Sequence, residues 1–335
     1  MVIQNQYKVD DEKDGLRLDV FVTENEDDLS RSYIKKLISE GYITVDKKQA
    51  KPSYKLHLGE IVRINLPDTN ISPDKYAENI PLDIIYEDDE VIVVNKPFGM
   101  IVHPAANLDS GTLVNALVFY ILNNPDKGIN EKNKFKELVS ITPERPGIVH
   151  RIDKGTSGIL VVAKTAKTYY YLINQFKERR IRKRYLALVC GNLKHEKGII
   201  TAPIGRSRRD RKKMTVTSIG GKEAVTEFSV ICYYENFSLL DIELKTGRTH
   251  QIRVHFSHIG YPIVGDPDYG GRNKAIKMAS SQNVISAIQK LDRQALHAKL
   301  LGFIHPITGE YMEFSVSIPK DIQNVINNLE NEFHK

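Results

Sequence analysis

Cysteine is scarce: the 335-residue chain holds two, Cys190 and Cys232. Two cannot make the disulfide framework of a small secreted protein, and their scarcity fits a reduced cytoplasm. Long apolar runs are missing as well. Those present, such as 91–94 and 159–163, fall far short of the roughly 18 residues of a membrane span. They suit buried strands instead. The opening Met1-Val2-Ile3-Gln4 shows no basic segment followed by an apolar one, so no secretory signal is expected. At 41% hydrophobic and 27% charged residues the composition is that of a globular protein, not a disordered one.

Cofactor and metal signatures are also lacking. No G-x-G-x-x-G occurs, and Gly221-Lys222 is followed by Glu223 without the upstream glycine of a phosphate loop. No paired cysteines suggest zinc. His250, His255 and His258 lie five and three apart, which does not place them on one helical face, and no Cys or carboxylate sits among them. Neither cofactor nor metal is expected.

One shortage is local. Residues 146–215 contain 4 acidic side chains against 18 basic ones, a net of +14, whereas the whole chain is only +6. The acids are Asp153, Glu178, Glu196 and Asp210. The bases concentrate in 179–184 and in 206–213, where Arg206, Arg208, Arg209 and Arg211 fall. Guanidinium forks match phosphate oxygens in pairs, and clustered cations gain affinity by displacing counterions from a polyanion. A nucleic acid is the expected partner. A membrane surface is disfavoured because neither cluster has an apolar face.

The chain divides into a small module (residues 15–66), a proline-containing linker (67–81), a large domain (82–320) and a C-terminal helix or tail (321–335). In the module, Ser30 can cap a helix carrying Ile34, Leu37 and Ile38, which Gly41 ends. Strands are expected over 43–45 and 61–66. In the large domain, strands are expected over 84–86, 91–95, 158–163, 185–189, 226–233 and 239–244, with a hairpin joining 301–304 to 311–316. Helices are expected over 112–122 and 167–178, and residues 123–144, being polar, read as a surface excursion. Strand runs with few β-α-β alternations predict an α+β fold with a mixed, mostly antiparallel sheet and flanking helices.

The basic block opens with His150-Arg151-Ile152-Asp153-Lys154-Gly155-Thr156-Ser157-Gly158. Arg151, Lys154 or another cation folded against Asp153 favours its charged form, which suits a nucleophile or base better than a proton donor. A second run, Thr246-Gly247-Arg248-Thr249-His250-Gln251-Ile252-Arg253-Val254-His255, offers an arginine to face Asp153. Arg248 and Arg253 both stand as that partner.

Together these runs resemble the signatures of the pseudouridine synthases that modify large-subunit ribosomal RNA. Val93-Val94-Asn95-Lys96-Pro97 with Val102-His103-Pro104 is similar to their entry strand and loop, and Arg184-Tyr185-Leu186-Ala187 to their tyrosine strand. The run 247–255, followed by Pro262-Ile263-Val264-Gly265-Asp266, is similar to their third motif. Residues 15–66 resemble an S4-type RNA-binding domain, a small α/β module. Departures are Ile152 for the usual leucine, Phe98 for a small residue, and Pro104-Ala105-Ala106 where a glycine often follows the proline.

The resemblance implies that specific uridines in a loop or hairpin of ribosomal RNA are isomerised to pseudouridine by base flipping, with transfer RNA as the alternative substrate. It implies Asp153 as nucleophile, Tyr185 stacked under the flipped base, and Arg253 paired with the carboxylate. Arg151 would fill the gap the uridine leaves. Arg248 and His250 join the RNA-binding residues, as do Arg31, Lys35 and Lys36 of the module, where Arg31 and Lys35 share a helix face. Ile159 and Leu160 would pack behind the nucleophile. A cytoplasmic monomer is expected. A non-catalytic RNA-binding or ribosome-assembly protein is the competing reading, and a methyltransferase is disfavoured by the missing cofactor loop.

Overall fold

The computed structural model describes residues 4–26, 31–65, 77–103, 110–124, 126–142, 145–211 and 213–333. The N-terminal part contains β1 (Gln4–Lys8), α1 (Leu18–Asn25), α2 (Arg31–Ser39), β2 (Ile43–Val45), β3 (Lys48–Gln49) and β4 (Ile61–Asn65). Its antiparallel sheet has the order β1-β4-β2-β3. Asp46 and Lys47, both at positive φ, make the two-residue turn between β2 and β3. β1 lies N-terminal to the expected module and pairs with β4 along its whole length. The Ser30 cap, Leu66 and most of the expected linker lie outside the described residues.

The large part follows as β5 (Ile84–Glu87), β6 (Val91–Lys96), α3 (Leu113–Asn123), α4 (Ile129–Ile141), β7 (Ser157–Ala163), α5 (Ala166–Lys177), β8 (Arg182–Cys190), β9 (Lys197–Thr201), β10 (Ile204–Arg206) and β11 (Met214–Val216). It continues with β12 (Val225–Tyr233), β13 (Phe237–Leu244), α6 (Gln251–His258), α7 (Gly271–Met278), α8 (Gln282–Lys290), β14 (Leu296–Ile304), β15 (Tyr311–Ser315) and α9 (Lys320–Phe333). A nine-stranded sheet runs β5-β6-β7-β14-β8-β13-β12-β9, with β15 paired to β14. Its pairings are antiparallel except that of β7 with β14. This is the mixed, mostly antiparallel α+β architecture read from the sequence.

The apolar runs over 91–94 and 159–163 occupy β6 and β7, which is why every residue of them is buried. α3 begins at Thr112, whose side chain accepts from the Asn115 backbone in a capping box. Thr165 caps α5 in the same way, accepting from Thr168 N. α9 buries Ile322, Val325, Ile326 and Leu329 in the core that also holds the sheet.

The excursion expected over 123–144 is corrected: much of it is helix α4. Phe135, Leu138 and Val139 are its buried stripe. Three apolar residues at i, i+3, i+4 spacing are enough to hold a helix whose other faces are polar, and a composition-based reading misses so narrow a stripe. Ion pairs hold its N-terminal turn. Buried Lys164 reaches Glu87 at 3.0 Å and Glu131 at 2.6 Å, and Lys127 pairs with both acids.

The contact between β7 and β14 positions the site. Gly158 sits at φ +121°, and a Cβ there would lie 2.1 Å from the Ala298 carbonyl oxygen. Only glycine lets the strands approach so closely. Their registry sets His297 opposite Ser157, immediately after the Asp153 loop. Cys190 and Cys232 are free thiols. Among the described residues, no helix is long and apolar enough to cross a membrane.

Candidate active site

The Asp153 loop is pinned on three sides. Its own backbone closes a turn, with Thr156 N donating to Asp153 O at 3.0 Å. On one flank, His150 Nε2 accepts from Val161 N at 3.0 Å while the ring stacks on Phe176, centroids 4.7 Å apart. Burial, then the charge of Lys183, pushes the His150 pKa down to about 3, so the ring is neutral and free to accept. On the other flank is Arg293, 2% exposed. Its Nη1 donates to Ser157 Oγ at 3.1 Å and to Gly155 O at 3.4 Å, while Nε and Nη2 grip Asp321 of α9 at 2.7 and 2.8 Å. Phe98 covers the Arg293 guanidinium at 4.8 Å, so this departure from the family pattern packs on a cation beside the loop.

Below the loop lies Lys96, which is 1% exposed. Its Nζ donates to the carbonyls of Pro97, Met100 and Lys154 at 2.7, 2.8 and 3.4 Å. Burial, then Arg293, pushes its pKa down to about 7, with Asp153 pulling the other way.

Asp153 itself is one-fifth exposed at the wall of a cleft of about 570 Å³. Arg253, on α6, donates from Nη1 to Asp153 Oδ2 at 3.3 Å. The rest of that guanidinium is held from behind. Nε and Nη2 bind both oxygens of fully buried Asp266 at 2.7 and 2.8 Å, and Nη2 also reaches Asp268 at 2.6 Å. The fork-to-fork pair fixes the plane of the guanidinium as well as its position. Burial opposes the Arg253 charge, but Asp266 and then Asp153 outweigh it and raise the pKa. The alternative partner is settled by this geometry: Arg248 lines the same cleft but donates from Nε to Glu223 O at 3.0 Å rather than to Asp153.

Tyr185 stands on β8 between β14 and β13, opposite Ala298 and Ile242. It lines the same cleft and is 8% exposed. Burial, then the negative charge of Asp153, pushes its phenol pKa up, so the hydroxyl stays protonated. Arg151 is exposed at the cleft, its Nη1 3.5 Å from His103 Nε2. His250 also lines the cleft, with Nε2 3.9 Å from Asp153 Oδ1. Asp153, Tyr185, Arg253, Arg151, His250 and Arg248 therefore converge on one cleft.

Other expected RNA-binding residues lie elsewhere. Arg206, Arg208, Arg209 and Arg211 are exposed on the hairpin joining β10 to β11. Arg206 Nη1 donates to Arg211 O at 3.2 Å, bracing the turn. Lys35 on α2 sits 3.6 Å from buried Asp19, which Arg17 also contacts at 2.9 Å. The side chains of Arg31 and Lys36 lie outside the described residues. The three histidines of the 250–258 run part ways. His255 is buried, its ring nitrogens 2.9 Å from Thr226 Oγ1 and 3.0 Å from Ala202 O.

Sequence reasoning gave no role to Asp266, Asp268, Tyr269 or Arg293. The run Gly265-Asp266-Pro267-Asp268-Tyr269 held the one available signal, two acids following a motif that ends in a basic helix.

Residues 90–258 match the family described as RNA pseudouridylate synthase, and residues 16–62 match the S4 domain. A Bacillus subtilis protein described as an uncharacterized RNA pseudouridine synthase is 43% identical over 319 residues, 95% of this chain and 96% of the relative. A Vibrio vulnificus protein named ribosomal large subunit pseudouridine synthase D is 40% identical over 322 residues, 96% of this chain and 93% of the relative. Among solved structures, human RNA pseudouridylate synthase domain containing 4 aligns with a TM-score of 0.54 at 24% identity. That alignment covers 74% of this chain and 92% of the human one, and it supports the fold.

Proposed function

Because the chain belongs to the RNA pseudouridylate synthase family, we propose that it isomerises uridines of ribosomal RNA with Asp153 as the nucleophile, Tyr185 against the flipped base and Arg253 orienting the carboxylate. The observation that carries this reading is one cleft in which a partly exposed carboxylate is gripped by a buried arginine beside a buried tyrosine. The reaction breaks the N1–C1′ bond, joins C1′ to C5 and moves the C5 proton to N1. No atom enters or leaves, so the protein's task is to hold the base, rotate it and manage one proton.

The residues divide that work. Arg253 leaves one carboxylate face toward the cleft while Asp266 and Asp268 keep the guanidinium from following the substrate. Tyr185, apolar on its face and protonated at its hydroxyl, suits a base platform. Flipping costs a few kcal/mol of unstacking, least in a loop, and Arg151 at the cleft mouth is placed to occupy the vacated stack. The β10–β11 hairpin presents its arginines to the phosphate backbone. The substrate of the Vibrio relative, named for the large ribosomal subunit, is the one we assign here. We place the enzyme in the cytoplasm, as its two free thiols support.

The test is incubation with uridine-labelled ribosomal and transfer RNA transcripts followed by nucleoside analysis. Pseudouridine in a ribosomal transcript is expected. Formation in transfer RNA alone would reassign the substrate, and binding of RNA without pseudouridine in either would favour a non-catalytic role.

A further inference from the structure

Tyr269 follows α6 in sequence, just before α7, and its hydroxyl joins two parts of the molecule. Oη lies 3.0 Å from Met214 N, the first residue of β11, and 2.8 Å from His250 Nδ1. The Met214 N–H can only donate, so the phenol oxygen accepts it. Among the described residues Oη meets no other acceptor, so the phenol's own proton goes to His250 Nδ1, and the ring proton then sits on Nε2. The facing charge demands the same tautomer. Nε2 lies 3.9 Å from Asp153 Oδ1, where a bare lone pair would oppose the carboxylate. Burial holds the ring pKa down, against the pull of Asp153.

Three further observations mark the arrangement as built. His250 adopts a left-handed backbone, φ 57°, at the start of α6, a conformation that costs a histidine energy and persists only when its surroundings enforce it. A parallel link runs through the other arm. Lys213 Nζ donates to Asp268 O at 2.7 Å, and the Asp268 carboxylate accepts from Arg253 at 2.6 Å. The Tyr269 ring lies under the Arg253 guanidinium at 4.9 Å.

We propose that Tyr269 is a positioning residue for the Asp153 carboxylate. Its hydroxyl fixes His250 with the Nε2 proton toward Oδ1 and ties that proton to the β10–β11 hairpin, so the arginine-bearing hairpin is part of the catalytic centre. Arg253 then holds Oδ2, His250 addresses Oδ1, and both are braced from the hairpin that meets the RNA. The inference rests on the reading of Asp153 as the nucleophile.

Tyr269→Phe removes one oxygen and keeps the ring under the Arg253 guanidinium. Loss of alignment at the reacting atom is expected to lower kcat about ten- to a hundred-fold, with KM for RNA unchanged. His250→Asn, which tolerates the left-handed backbone, should lose a similar factor, and the double variant no more than the larger single one. Nitrogen NMR of the His250 ring, assigned by its loss in His250→Asn, should show the Nε2–H tautomer in the wild type and a tautomer mixture in Tyr269→Phe. Wild-type kcat in Tyr269→Phe, or a kcat loss with an unchanged tautomer, would overturn the proposal. Asp153→Asn is assayed alongside. If it is inactive while Tyr269→Phe is normal, this inference alone fails. If it is active, the assignment of Asp153 fails and takes the inference with it.

Discussion

Arg253 has most of its hydrogen-bonding capacity committed before any substrate arrives. Asp266 takes two of its donors and Asp268 shares one of them, leaving Nη1 for Asp153. An arginine so held cannot swing to a phosphate, which separates it from the exposed arginines of the hairpin. Lysine, with one charged point and no fork, could not hold Asp266 and Asp153 at fixed angles. A second residue, His297, is fully buried on β14 with Nδ1 2.9 Å from Ser157 Oγ. Burial, then the charge of Arg293, pushes its pKa from 6.5 down to about 4. The unfolded chain therefore binds this proton below about pH 6.5 and the folded chain only below about 4. Acid favours the unfolded state across that window, at up to about 1.4 kcal/mol per pH unit for one proton. Denaturant unfolding between about pH 7 and about pH 4 should show this loss, and His297→Gln should make it shallower by up to one proton's slope, leaving the part due to buried His150. An equal slope in the variant would place the proton elsewhere.

At the scale of elements, the β10–β11 hairpin is a small two-stranded piece outside the main sheet. Its arginines are exposed at a turn, where they add electrostatic attraction without entering the core. Replacing Arg208, Arg209 and Arg211 by Ala should lower the slope of log affinity against log salt by up to about 0.7 for each single-strand phosphate no longer neutralised. An unchanged slope would put the RNA on another surface. The elements readable from sequence were those whose burial pattern is local. β6 and β7 are apolar nearly throughout, and α3 and α5 carry threonine caps. What escaped was decided by distant partners. α4 depends on a narrow apolar stripe and on Lys164, an ion-pair partner brought from the end of β7. The strand β1 exists because β4, more than fifty residues later, offers it an edge.

The same division holds across the whole molecule. The concentration of positive charge in 146–215 located the region of Asp153 and Tyr185, because a polyanionic substrate leaves its mark on composition. Arg253 lay outside that block, in a run that offered it and Arg248 alike as the arginine facing Asp153. The choice between them needed the fold, since α6 sends Arg253 inward while Arg248 remains in the preceding turn. The Tyr269–His250 link was not legible at all, because it joins residues nineteen apart, and the same hydroxyl meets a hairpin strand more than fifty residues earlier. The N-terminal module meets the large domain where Ile141, Ala166 and Tyr170 pack into its core. Ala166 begins α5, and Phe176 and Lys177 at the other end line the cleft, about 15 Å along the helix.

On this reading the Asp153 carboxylate carries the isomerisation while the surrounding cations bind the RNA. The measurement that tests it most directly is pseudouridine formation by Asp153→Asn on the ribosomal transcript that the wild type modifies, with RNA affinity measured on the same preparation. The asparagine is nearly isosteric but cannot act as a nucleophilic carboxylate. No detectable pseudouridine is expected, with RNA binding retained. Pseudouridine formation by Asp153→Asn at a rate near that of the wild type would contradict it.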